Sequence, residues 1–178
     1  MKSLPERGRI GIFNRSYYED VLVVRVHPEL LASLPDGDRG EKFWRGRYHD
    51  INEFEKHLSR NGTLILKFFL NVSKKEQRKR FLERLDRPEK NWKFSFGDLE
   101  ERKHWSEYRD AFEQMLQHTS TTWAPWWVIP ADQKWITRAL VAAIITRSIE
   151  KLGLTFPEVS AERRKRLVAA RRALAAEK

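Results

Sequence analysis

Short continuous apolar runs alternate along the chain with longer stretches whose apolar positions recur every three or four residues. Residues 9–14 (RIGIFN) are such a run, bounded by glycine and a polar end, the pattern of a strand buried on both faces. It starts so early that the neighbours of a central parallel strand must come from later in the chain or from elsewhere. Residues 17–27 are expected to be helical, with Ser16 as cap and Glu19 and Asp20 in the first turn. LPDGDRG at 34–40 reads as a loop. Phe43, Trp44, Ile51, Phe54 and Leu58 place a helix over 41–60, stopped by Asn61-Gly62. The clearest strand is 63–72 (TLILKFFLNV), interrupted only by Lys67. Ser73 caps a basic helix over about 74–85 with Phe81, Leu82 and Leu85 as a narrow apolar stripe, and 87–98 is a loop. Trp105, Tyr108, Phe112 and Met115 fall on one face of the next helix. Residues 126–129 form a third strand, 134–152 a helix expected to be largely buried, and 160–176 a final helix with Leu167, Ala170 and Leu174 as its stripe.

Strands alternating with helices argue for an α/β layer structure around a parallel sheet. Ligands in such sheets sit beyond the carboxyl ends of the strands. That rule directs attention to residues 14–16, 71–73 and 130–132.

Composition narrows the chemistry. The 178 residues contain no cysteine, which removes disulfides, thiol catalysis and thiolate metal sites and makes a reducing compartment, the cytoplasm, the expected location. No apolar run is long enough to span a membrane. Thirty-five Lys and Arg against 25 Asp and Glu give a net charge of +10, a field that attracts polyanions. Charge alone does not choose between nucleic acid, nucleotide, polyphosphate and an anionic membrane surface.

Two segments concentrate candidate chemistry. Between residues 74 and 93, nine basic side chains stand against four acidic ones, and Arg80, Arg84 and Arg87 are spaced to grip successive phosphates from one side of a helix and its exit. A solvated basic face is the alternative. NRSYYED at 14–20 sets an arginine, two aromatics and two carboxylates just past the first run, the residue types of a phosphoryl-transfer site. Equally, Arg15 with Glu19 or Asp20 could be an ordinary ion pair. The five histidines have no metal-ligand spacing, there is no GxSxG elbow, and GxxxxGK[ST] is absent.

GRIGIFNRSYYEDVLVVRVH (8–27), GTLILKFFLNVSKKEQRKRFLERLDRPEKNWKFS (62–95), and WSEYRDAFEQML with TSTTWAPWWVIPADQKW together resemble the polyphosphate kinase 2 family from residue 8 to about 154. The resemblance implies a P-loop kinase-like three-layer α/β fold with a parallel sheet and a helical lid, and Mg²⁺-dependent phosphoryl transfer between inorganic polyphosphate and a nucleoside mono- or diphosphate. It implies catalytic roles for Arg15, Arg80 and Arg84, nucleotide or phosphate contacts for Asn14, Tyr18, Lys90 and Lys93, and metal contacts for Glu19 and Asp20. Asn14 stands where many relatives carry aspartate; NRSYYED resembles members that accept nucleoside monophosphates, some also diphosphates. Family members place a Walker A loop upstream of the run at 9–14, and no such loop is present here. The expected organisation is therefore an N-terminally truncated kinase-type domain over 1–154, with a lid at about 74–103, and a basic helical extension over 155–178. A homo-oligomer is expected, without membrane or nucleic acid as partner, and with little turnover by this chain alone. The competing reading is a non-catalytic polyanion- or nucleic-acid-binding module.

Overall fold

The structure, a computed structural model, describes residues 3–32 and 39–177. Two parallel strands, β1 (Lys67–Asn71) and β2 (Trp126–Pro130), pair in the register Lys67↔Trp126 to Asn71↔Pro130. Parallel strands need a long crossover. Here it consists of α3 (Lys74–Asp86), a 3-10 segment Pro88–Lys93, α4 (Phe96–Glu101) and α5 (Trp105–Thr119), numbered after α1 (Val23–Val26) and α2 (Glu41–Arg60) upstream. Beyond β2 come α6 (Lys134–Glu150) and α7 (Ala161–Ala176). The chain divides into two units, residues 1–141 and 142–178.

Local chemistry sets the boundaries that matter for the site. Helix α2 ends where the Asn61 side chain donates to the His57 carbonyl and Gly62 takes φ +83°, a backbone conformation that costs glycine little. The Ser73 hydroxyl accepts the Glu76 N–H at 3.0 Å and starts α3 two residues after β1 stops. Tyr18, Val21 and Leu22 pack with Tyr48 of α2 and with Ala111 and Met115 of α5 to form the core. Partly buried Phe112 and Leu116 pack against that core, so α5 turns inward the face that its spacing predicts.

Several expectations change, among them the loop at 87–98, which instead holds the 3-10 segment Pro88–Lys93 and the start of α4. Residues 9–14 are not a strand: no strand pairs with them among the described residues, and Ile10 and Ile12 are 78% and 90% exposed. An apolar run becomes a strand only when a ladder partner takes its backbone groups. Instead of one helix, residues 17–27 form a 3-10 turn (Tyr17–Val21) and the single turn α1, because crowded β-branched residues and Pro28 oppose a longer helix. Helix α6, apolar enough for burial, has no buried residue; Trp135 is 71% exposed. The α7 stripe is likewise exposed at Leu167 and Leu174. Most of the expected loop at 34–40 lies outside the described residues. Among the described residues no helix is long and apolar enough to cross a membrane.

Candidate functional site

The turn that follows Phe13 is held by its own backbone and by the core beneath it. Arg15 adopts φ +68°, left-handed backbone that is uncommon for a residue with a Cβ and that persists only where the surroundings impose it. Ser16 then caps the 3-10 turn, its hydroxyl accepting the Tyr18 N–H at 3.4 Å. The Arg15 side chain stays 79% exposed, with Nε 3.7 Å from Glu19 Oε1. That ion pair, one of the two sequence alternatives, is loose and solvent-screened, so it leaves the guanidinium open to a stronger anion. Asn14 is exposed beside it. Asp20 faces the other way: Arg47 donates to its carbonyl at 3.1 Å and lies 4.0 Å from its carboxylate. Tyr18 is in the core, 4% exposed, its hydroxyl donating to Glu55 and accepting from Lys67.

The carboxyl ends of the two strands carry the second group. Arg80 Nη2 donates to the carbonyls of Ala131 at 2.7 Å and Asp132 at 3.1 Å, while Nε pairs with Glu76 at 2.9 Å. Asp132 Oδ1 accepts the Ser73 N–H at 2.7 Å, and that bond holds the Asp132 carboxyl below the usual carboxylate range. Helix α3 is thus bolted by its first turns across the top of the sheet. Its N-terminal end, with the positive pole of the helix, lies at the strand termini where ligands of α/β sheets collect.

The segment expected to be a lid folds on itself. Arg84 lies 3.6 Å from Asp98 and against the Phe81 ring, Lys90 donates to Glu83 at 2.5 Å, and Lys93 covers the Trp92 ring. The two ion pairs are partly exposed, where such pairs contribute little to stability. No hydrogen bond or ion pair joins Arg15 to Arg80 among the described residues. Between α3 and α5 the contacts are these. Gln77 of α3 accepts from Arg102 at 2.6 Å, and both Arg102 and Lys74 lie over the Trp105 ring. One turn on, Tyr108 donates to Glu101 at 2.6 Å, and the charges of Glu19 and Arg15 both act on its hydroxyl. Burial first, then the Glu101 bond, drive that hydroxyl far above an ordinary tyrosine pKa, so Tyr108 stays protonated and donates.

For three contributors the sequence did not show the role. His27 is held by Glu101 at 3.0 Å and Glu29 at 3.1 Å, which raise its pKa above the ordinary histidine value. Asp132 gave no signal beyond its place after a strand. The buried pair of Lys67 and Glu55, at 2.7 Å, was legible only as a lysine interrupting an apolar run. Among the described residues no group of three or more carboxylates and histidines could hold a metal ion. Mg²⁺ bound together with phosphates takes one or two carboxylates; of the two expected here, Glu19 flanks Arg15 while Asp20 is engaged by Arg47.

Comparison with known proteins gives this arrangement its context. The family model described as Polyphosphate kinase 2 matches residues 1–155. An ADP-polyphosphate phosphotransferase from Rhodopseudomonas palustris is 53% identical over 176 residues, covering 97% of this chain and 61% of that protein. An AMP/ADP-polyphosphate phosphotransferase from Meiothermus ruber is 48% identical over 157 residues, covering 88% of this chain and 55% of that one. The crystal structure of polyphosphate kinase 2 from Arthrobacter aurescens TC1 superposes with a TM-score of 0.84 at 43% identity, over 99% of this chain and 58% of its own. The chain thus spans roughly three-fifths of the length of these relatives, and its P-loop kinase-like α/β fold is theirs. With a matching family model over most of its length, the chain belongs to the polyphosphate kinase 2 family.

Proposed function

We propose that this chain carries the arginine-bearing part of a phosphotransferase that moves a phosphoryl group between inorganic polyphosphate and a nucleoside mono- or diphosphate. The observation that supports this reading best is the attachment of Arg80 to the carbonyls after β2. It holds the first turns of α3, a capped helix N-terminus and a cluster of cations at the carboxyl end of a parallel sheet. Phosphoryl transfer asks the protein for positioning and charge neutralisation rather than covalent chemistry. Arg15, Arg80 and Arg84 would neutralise charge on the transferring group, with Asn14, Lys90 and Lys93 along the phosphate path. Tyr18, enclosed in the core, supports the turn. Glu19, beside Arg15, would hold Mg²⁺, whose contribution is to neutralise the phosphate oxygens; Asp20, engaged by Arg47, would not share it.

The GxxxxGK cradle for terminal phosphates is not among these 178 residues. In this proposal, polyphosphate binding belongs to this chain and turnover to a site completed by such a cradle. Purified chain incubated with polyphosphate, Mg²⁺ and AMP or ADP is expected to form little ADP or ATP; robust ATP formation overturns that division. In the Rhodopseudomonas palustris protein, alanine at the position matching Arg80 is expected to cut transfer by about 100-fold or more, as for loss of a charge-stabilising donor. An unchanged rate removes Arg80 from the site. Short polyphosphate with nucleotide should outcompete single- and double-stranded nucleic acid for the chain; the reverse order favours a general polyanion-binding module. The cytoplasm as location and self-association of the chain belong to the same proposal.

A further inference from the structure

Beneath the Arg15 turn lies a buried polar network that phosphate contact does not require. Lys67, at the first position of β1, is 6% exposed, and Glu55 of α2 is 0% exposed. The Lys67 ammonium donates to Glu55 Oε2 at 2.7 Å, to the Tyr18 hydroxyl at 2.8 Å and to the Thr119 carbonyl at 2.8 Å. All three of its N–H bonds are used. Glu55 Oε1 accepts both consecutive tyrosine hydroxyls, Tyr17 at 2.9 Å and Tyr18 at 2.8 Å. Trp126, paired with Lys67 across the sheet, places its ring 5.1 Å from the ammonium and donates Nε1 to Thr119 Oγ1 at 2.9 Å. One ion pair therefore gathers the 3-10 turn, α2, both strands and the end of α5.

Packing alone would be served as well by apolar residues, since a buried ion pair is weak evidence for stability. What an apolar core would not supply is direction. Two adjacent hydroxyls on a single carboxylate oxygen fix the rotation of the turn as well as its depth. The residues immediately before them are Ser16, its cap, and Arg15, whose left-handed backbone needs outside support. We infer that the Glu55–Lys67 pair is a positioning device for the phosphate site, holding Tyr17 and Tyr18 so that the Arg15 guanidinium is presented in one direction. This inference rests on the proposed role of Arg15 as a phosphate contact. Glu55 and Lys67 touch no substrate and act through the turn.

The test uses the full 178-residue chain. Tyr17→Phe removes one hydroxyl from a residue that is 38% exposed and leaves the core volume unchanged. Glu55→Gln removes the charge. Affinity for short-chain inorganic polyphosphate is followed by tryptophan fluorescence, and ordering of Arg15 by its backbone heteronuclear NOE. Tyr17→Phe is expected to unfold cooperatively, to lower the Arg15 NOE and to weaken binding about threefold, and Glu55→Gln about tenfold, in the range of coupling between groups in one network. In an Arg15→Ala background, neither substitution should weaken binding further. A purely structural network gives the opposite: unchanged NOE and affinity in folded Tyr17→Phe, or effects that add to those of Arg15→Ala, and either result overturns the inference. If Glu55→Gln does not fold, Tyr17→Phe decides alone. Unchanged affinity in Arg15→Ala by itself removes the phosphate role of Arg15, and the NOE of Tyr17→Phe then still reports whether the pair orients the turn.

Discussion

The candidate site is built from side chains that hold backbone in place, and their removal has consequences distinct from loss of phosphate contact. Arg80 serves two carbonyls and a carboxylate, one of the bonds exposed and two part-buried, so Arg80→Ala should destabilise this chain by about 1 kcal/mol, seen as a lower midpoint in urea. Lys67→Met is harsher: it strands the buried Glu55 carboxylate, and loss of one partner of such a pair costs about 3–5 kcal/mol. His27 gives a pH dependence. It faces Glu101, Glu29, Tyr108 and the ring of His104, and its pKa is raised from 6.5 mainly by the Glu101 bond. The protonated form is therefore favoured by folding, and its contribution is complete below about pH 6.5 and lost as pH rises through the higher folded value. Hydrogen-exchange protection of α4, corrected for intrinsic rates, is expected to fall over that interval in the native chain and to stay flat in His27→Gln. A flat native profile would dissociate His27 from the anchoring of α4.

At the scale of elements, the capped helices carry the geometry. Ser73→Ala removes the α3 cap and should cost about 1 kcal/mol, with increased amide exchange confined to the first turn of α3. Exchange spread evenly over the chain would show that the cap does not set that terminus. This cap was legible in the sequence, as were α2 with its Asn61-Gly62 stop, the inward face of α5 and both strands, because each rests on local periodicity or on a capping side chain. The strand expected at 9–14 failed for a non-local reason: RIGIFN has the composition of a buried strand, but strand formation depends on a ladder partner that composition does not record. The site divides the same way. NRSYYED and the basic helix were visible as charge beside apolar runs, and the positions after both strands followed from the sheet rule. The resemblance implied a nucleotide or phosphate contact for Tyr18, whereas its ring is buried against Trp126 and Tyr48. The link from Lys67 to Glu55 spans α2 and β1 and has no sequence periodicity to betray it.

For the whole molecule, two surface properties stand out. Ile10, Ile12 and Phe13 are exposed, as are Leu70 and Val128 of the sheet; exposed apolar residues of this size favour association where they adjoin. Light scattering should therefore detect self-association that rises with protein concentration, and Ile12→Lys should reduce it; a strictly monomeric native chain would contradict this. The net charge of +10 will draw polyphosphate to many surfaces, including the six arginines and lysines of α7, so affinity that falls with salt does not locate the site. Location is what separates a phosphotransfer site from a general basic surface. The most direct measurement is a titration of the isotope-labelled chain with short-chain polyphosphate, following backbone amides and arginine side-chain Nε–H signals together. A single site requires residues 14–20 and 73–84 to shift in parallel and to saturate at the same concentration, with α7 lagging behind. Shifts confined to α7, or different midpoints for the Arg15 turn and α3, would mean that these arginines do not share one phosphate chain.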